Sequence, residues 1–293
     1  MNPAARATPA PLAGIRIVTI AQNVPGPVAV ARLVAEGATA VKVEPPWGDP
    51  LASMCRPWYD ELHAGIEVRH IDLKSAAGAR ALDALLAEAD VFVSGHRPSA
   101  LARLGLDPPA VTRRFPGLRY LAMVGDTAHP EGAGHDLTYQ ATAGLLSEAL
   151  PPTLLADLMG AAQACTSVLL LLRDPPGSTR HVGLFDGLHG LTAPTRHGLT
   201  GPGGALGGGR PEYGVYETLE GRVAVAALEP HFRERLYEGL GLPDDGDLGM
   251  ALRERTAIEW ERWAAGRDIP MAAVRTVHPS TSIGASGDTE TRR

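Results

Sequence analysis

The chain has 293 residues, 44% of them hydrophobic and 20% charged, which is ordinary for a globular protein with a sizeable core. Its 27 basic and 33 acidic residues leave a net charge of −6, a balance that argues against nucleic acid as the main partner, because phosphate binding needs a basic surface. Cys55 and Cys165 have neither metal nor disulfide spacing and point to a reducing, cytoplasmic setting, and the longest apolar stretch, Leu158 to Leu172, carries Gln163, Thr166 and Ser167 and is too short and polar for a membrane span.

The opening MNPAARATPA lacks an apolar signal core and reads as a flexible tail over residues 1–10, as does the far end over 281–293. After Gly14, IRIVTI is a β-branched run that predicts a strand. AQNVPGP reads as a turn built on Pro25, Gly26 and Pro27, VAVARLVAEG has helical spacing closed by Gly37, and TAVKVE is a second strand. Such a βαβ unit pairs in parallel. SAAGARALDALLAEA leads as a helix into strand DVFVSG, and a short helix around SALARLG precedes strand RYLAMVG. The alternation predicts an α/β fold with a parallel sheet flanked by helices. Ligands of such sheets bind at the carboxyl ends of the strands, so AQNVPGP, SGHRPSA and GDTAHPEGAGHD should face one crevice.

From Asp157 to Arg173 the chain reads as one helix, apolar on nearly every side and therefore buried. DPPGS ends it and HVGLFDGLHGL resumes ordered structure. TGPGGALGGGRPE, with Gly207, Gly208 and Gly209, is a domain boundary or a mobile lid. YGVYETLEGRVAVAAL predicts two strands around a Glu220–Gly221 turn, and HFRERLYEGLG and IEWERWAAGR predict helices. The organisation expected is an α/β domain over 11–200 and a smaller α+β domain over 205–280.

AGHDLTY places an imidazole, a carboxylate and a phenol within five residues, His135 to Tyr139. On the residues alone, His135 is an acid–base group or a loop histidine satisfied by backbone. Asp157 is a carboxyl whose apolar neighbours raise its pKa, or the N-cap of the helix that follows. Asp136 fixes the His135 tautomer or caps the next helix. Arg97 is an anchor for an anionic ligand or a solvated strand-end charge, and Gly26 is a close approach to a ligand or a simple turn. Glu229 reads as a surface carboxylate near a helix start, and Tyr139 and Cys165 fit core packing. His129, His181, His189 and His197 lack paired metal spacing, so no metal is expected.

Taken in order, PLAGIRIV, GPVAVARLVAEGATAVKVEPPWGDP, HIDLKSAAGARALDALLAEADVFVSGHRPSALARLGLD, AGHDLTY, LLADLMGA, HVGLFDG, GGGRPEYGVYETLEG and VAVAALEPHF resemble the family III CoA-transferases over most of residues 11–275. GHD with a downstream aspartate, and ALEP, look most like the α-methylacyl-CoA racemase branch. The resemblance implies a Rossmann-like large domain, a small domain and a homodimer of interlocked chains. It implies that His135 and Asp157 exchange the α-proton of a 2-methylacyl-CoA-like thioester, with Glu229 partnering His135. It places Pro25, Gly26, Pro27, Arg97, Asp136, Gly207, Gly208 and Gly209 at the substrate and CoA, Arg97 by its match to the family's FRP arginine. No cofactor is implied beyond the CoA carried by the substrate. The family's basic NRGKRS stretch before LDLK is absent, so a phosphate contact is either lost or moved to Arg69 or His70, and GDTAHPEGA replaces the GFGQDGP-type loop. Two alternatives stand beside the racemase: a CoA-transferase in which Asp157 attacks the thioester and forms an acyl anhydride, and an acyl-CoA binder without catalysis.

Overall fold

The structure, a computed structural model, describes residues 10–146 and 149–276. The tails expected over 1–10 and 281–293 lie outside the described residues apart from Ala10. The chain forms two compact units, the first ending at Ala193 and the second beginning at Pro194, so the glycine-rich segment belongs to the second.

In the first unit, β1 (Arg16–Thr19), α1 (Pro25–Ala35) and β2 (Thr39–Glu44) form the βαβ unit that the sequence predicts. Two short helices, α2 (Pro50–Met54) and α3 (Arg56–Leu62), lead to β3 (Glu67–His70). Then come α4 (Ala76–Leu86), β4 (Val91–Ser94), α5 (Pro98–Leu104), α6 (Pro108–Arg114) and β5 (Arg119–Val124). Finally α7 (Asp136–Thr142), α8 (Leu155–Leu171), β6 (Thr179–Gly183) and α9 (Leu184–Leu191) complete the unit. The strands pair in parallel in the order β3-β2-β1-β4-β5-β6. The order reverses between β1 and β4, which opens a crevice at their carboxyl ends.

Period-2 alternation explains why both faces of this sheet are covered. Ile17, Val91, Val93, Leu121 and Met123 point to one face, against Val28 and Leu33 of α1 and Ala161, Ala164 and Val168 of α8. Val18, Phe92, Tyr120 and Ala122 point to the other, against Leu82 and Leu86 of α4, Leu101 of α5 and Val111 of α6. Two sequence expectations need correction, and one strand carried no signal. The turn assigned to Pro25–Pro27 is the first turn of α1, because proline's fixed φ and missing N–H suit that position. Helix α8 is not buried on every side: its buried stripe runs through Ala156, Gly160, Ala164, Val168 and Leu171, while Leu169 and Leu170 are exposed. Strand β3 has no apolar signature because EVRH is an edge strand with mostly solvent-facing side chains.

The second unit holds an antiparallel sheet of β7 (Tyr213–Glu217), β8 (Arg222–Ala226) and β9 (Met271–Ala273) in that order. The β7–β8 turn passes through Gly221, whose φ of 82° favours glycine. Helices Pro230–Leu240 and Ala257–Ala265 bring Leu236, Trp260 and Ala264 onto Val223, Val225 and Met271. The buried Trp260 indole N–H donates to the Leu252 carbonyl at 2.7 Å, satisfying its one polar atom. Among the described residues no helix is long and apolar enough to cross a membrane.

Candidate active site

The carboxyl ends of β1, β4, β5 and β6 surround a cavity of about 250 Å³ in the first unit. Ala21, Gln22 and Asn23 follow β1, with Pro25 and Gly26 from the start of α1. Gly95, His96 and Arg97 follow β4, and Leu184 follows β6. His135 and Tyr139 enter from the α7 region and Asp157 from α8. Thus His135, Asp157, Arg97, Pro25 and Gly26, which the sequence singles out, share one cavity.

Asp157 is the third residue of α8, not its cap; Leu154 holds the cap position and offers no side-chain bond. The cap comes from Asp136. The N–H groups of Ala156 and Asp157 donate to Asp136 Oδ1 at 2.7 and 3.1 Å, and Gln140 Nε2 donates to Oδ2 at 2.5 Å. Asp136 is therefore a buried clamp between α7 and α8 and does not line the cavity, contrary to its expected place at the substrate. Its three donors consume the oxygens that a ligand would need.

This arrangement sets the chemistry of Asp157. Burial removes its carboxyl from water, and the Asp136 carboxylate adds like-charge repulsion; together they push its pKa up to about 6. An aspartate in a helix's first turn ordinarily gains from the helix dipole. Here Asp136 already occupies the free N–H groups at that end. Tyr139, beside it in the cavity, is raised first by burial and then by the Asp157 charge. The Tyr139 ring packs so closely on Gly125 and Gly134 that neither position has room for a Cβ.

His135 is exposed and precedes α7 in extended conformation. Its backbone is held by Thr138, whose Oγ1 accepts from the His135 N–H at 3.0 Å and donates to its carbonyl at 2.8 Å. The His135 side chain lines the cavity, where a ligand can reach it. The Arg97 guanidinium is likewise exposed and without an ion-pair partner among the described residues. Gly26 packs tightly on the Ala21 side chain, a contact that excludes a Cβ and draws α1 against the end of β1. Pro27 is buried beneath it and does not line the cavity. Arg69 pairs with Glu67 at 2.7 Å, and His70 lies 3.2 Å from the Pro45 carbonyl oxygen. Gly207, Gly208, Gly209 and Glu229 belong to the second unit. Gly207 and Gly209 pack on the carbonyls of Gly201 and Gly203 in a coil closed by its own backbone hydrogen bonds, and Glu229 is exposed at the start of helix Pro230–Leu240.

Sequence reasoning missed three features. A second cavity, of about 750 Å³, opens on the other side of the crevice between Trp47, Ile71, Leu73, Lys74 and Arg103. Gln22 and His96 line both cavities. Beneath the cavity lies a buried charge cluster: Lys42 Nζ is 2.5 Å from Asp49 Oδ2, 3.0 Å from Glu44 Oε1 and 2.8 Å from His63 Nε2. The Tyr59 hydroxyl donates to Glu44 at 2.9 Å, and the Asn23 N–H donates to the Asp49 carboxylate. Burial keeps His63 below its usual pKa, so its neutral ring accepts from Lys42 through Nε2 and donates from Nδ1 to the Tyr59 carbonyl at 2.6 Å. Asp49 thereby holds Asn23 at a left-handed φ of 63° on the cavity wall. The signal was available in VKVEPPWGDP, where a lysine and a glutamate interrupt an otherwise apolar strand.

The CoA-transferase family III model matches residues 12–283, and the chain belongs to that family. This places it among enzymes of the racemase and CoA-transferase type. The α-methylacyl-CoA racemase of Homo sapiens is 30% identical over 90% of this chain and 78% of its own length. A probable fatty acyl-CoA transferase of Mycobacterium tuberculosis is 26% identical over 85% of this chain and 79% of its own. A crystal structure of a hypothetical protein from Mycobacterium tuberculosis shares the fold, with a TM-score of 0.79 at 24% identity, covering 92% of this chain and 86% of that one.

Proposed function

We propose that the chain exchanges the α-proton of a 2-methylacyl-CoA-like thioester, with His135 and Asp157 as the two acid–base groups. The observation that carries this reading is Asp157, raised to about 6 in the cavity that His135 also lines. The α-hydrogen of a thioester is a weak acid, so its removal needs a positioned base and its return needs a positioned acid. A group serves both roles best when its pKa lies near the working pH. An ordinary aspartate lies too low to hand a proton back; this one does not.

In this reading the acyl end occupies the smaller cavity, and the nucleotide end of CoA lies in the larger one, where Lys74 and Arg103 supply cations among apolar walls. Arg97 offers a further charge-assisted contact to phosphate. Glu229 supports His135, the glycine segment at 207–209 borders the acyl group, and the working form is a cytoplasmic homodimer, all as the family resemblance implies. CoA enters as part of the substrate, and the chemistry calls for no metal.

The test uses a single enantiomer of 2-methylacyl-CoA in D2O, with deuterium read by mass spectrometry and configuration by chiral analysis. Deuterium incorporation with loss of enantiomeric purity is expected. Retention of the α-hydrogen alongside measured CoA binding overturns the reading. One observation favours a transferase instead: at pH 7 most of the Asp157 population is ionised and faces the cavity, as a nucleophile must. Hydroxylamine trapping of an Asp157–acyl adduct separates the two, since proton transfer leaves none.

A further inference from the structure

The loop after β5, where GDTAHPEGA departs from the matched family pattern, is tied down on both sides of Pro130. Before it, the Thr127 hydroxyl donates to Asp186 Oδ2 at 2.5 Å, in the first turn of α9. After it, the Glu131 carboxylate accepts from the Ser99 N–H at 2.6 Å and from the Ser99 hydroxyl at 2.8 Å, at the start of α5. The strap so formed fixes Pro130 on the wall of the cavity that holds His135 and Asp157. Pro130 also lines another cavity, of about 340 Å³. That cavity lies on the opposite face of the sheet, against Leu101 of α5 and Pro108 of α6, with Ala122 and Val124 of β5 and His181 of β6. His96, Val124 and Pro130 are common to both linings, so the two spaces adjoin. No carboxylate, lysine or arginine among the described residues lines the second space, and burial holds the His96 ring below its usual pKa and therefore uncharged. Ligand pockets typically span about 300 to 1,000 Å³. The acid–base cavity alone, at about 250 Å³, falls short of that range, and together with its neighbour it lies within it.

We infer that the adjoining cavity takes the tail of the acyl group, and that the strap carrying Pro130 sets how long a tail is accepted. The walls are mostly apolar and uncharged, which suits a hydrocarbon chain and disfavours the phosphates of CoA. The space opens from the cavity where the reading above puts the α carbon. Strand β6 is the edge of the sheet and His181 on it is exposed, so the far side of the cavity meets solvent. A tail therefore gains from each methylene buried between Pro130 and His181 and gains nothing beyond them. This inference rests on the α-proton exchange reading and names the substrate class within it: 2-methylacyl thioesters with an apolar tail of limited length.

The test follows deuterium exchange across a series from 2-methylbutanoyl-CoA to 2-methyldodecanoyl-CoA, with titration calorimetry of the same thioesters. In the wild type, KM and Kd should fall about threefold to fourfold with each added methylene and then level off. Ala122→Leu and His181→Trp add bulk to the adjoining cavity, and neither residue lines the one that holds His135. Both should raise KM about tenfold or more for the long tails. For 2-methylbutanoyl-CoA both should keep KM and kcat within about twofold, a split that general damage to the fold would not give. Should Ala122→Leu fail to fold, His181→Trp, at an exposed position of the edge strand, carries the same comparison. Affinity independent of tail length in the wild type overturns the inference. So do variants that match the wild type on long tails, or that lose short and long tails equally. A wild type that binds long tails more tightly without exchanging protons refutes the racemase and upholds the tail cavity, whereas one that binds no acyl-CoA refutes both.

Discussion

Around Lys42, two buried carboxylates share a cation; beside the cavity, Asp136 and Asp157 face each other with none among the described residues. The first group is closed. Glu44 receives the Tyr59 hydroxyl, Asp49 receives the N–H groups of Asn23 and Leu51, and both touch Lys42. The second is left open on one side: Asp136 is saturated by three donors, while Asp157 carries the resulting repulsion into the cavity. Burial alone therefore does not mark a functional carboxylate. A compensated one holds a wall in place; an uncompensated one retains a proton near neutral pH.

Breaking the open pair should have the largest effect. Asp157→Asn should lower α-deuterium incorporation by about a thousandfold, the scale of losing a general acid–base group. The same change should stabilise the fold at pH 7 by about 2 to 3 kcal/mol in urea unfolding. The sign follows from the raised pKa. Native protein holds the Asp157 proton more tightly than unfolded chain does, so this group makes stability fall as pH rises from about 4 to about 6, and the fall is flat above that. Asp157→Asn removes that fall, and unfolding curves at pH 4 and pH 7 check it.

Breaking the closed cluster should act on the fold first. Lys42→Met strands two buried carboxylates and should cost about 3 to 5 kcal/mol in the same unfolding assay. The smallest change sharpens the comparison. Asp136→Asn keeps shape and an acceptor but removes the charge that presses on Asp157. It should cost about 1 kcal/mol of stability. The acid limb of kcat/KM, expected near pH 6 in the wild type as Asp157 takes up a proton, should move to lower pH, and a pH–rate profile reads the shift. An unmoved limb would remove Asp136 from the account of Asp157.

Much of this was legible in the residues. IRIVTI, TAVKVE, DVFVSG and RYLAMVG are β-branched or apolar runs buried on both faces, and all four became strands of the parallel sheet. EVRH did not announce itself, since an edge strand needs no apolar pattern. His135 and Asp157 stood out through their motifs, and the structure brings both to one cavity. The cap of α8 was misread because local sequence offers Asp157 as its own cap, whereas Asp136 reaches those N–H groups from twenty-one residues upstream of Asp157. Gln22 and His96 carried no signal because their meaning is spatial: each follows a different strand, and only the sheet order makes them neighbours of the same two cavities.

The distribution of these parts over separate connections has an evolutionary consequence. The proposed acid–base residues, His135 and Asp157, come from the segments that begin α7 and α8, while Gln22 and His96 come from the connections after β1 and β4. Lengthening or replacing one of those two connections alters what passes between the cavities and leaves the His135 and Asp157 segments untouched. On the proposed function, descendants of this chain can therefore diversify in the molecules they accept while keeping the His135 and Asp157 segments unchanged.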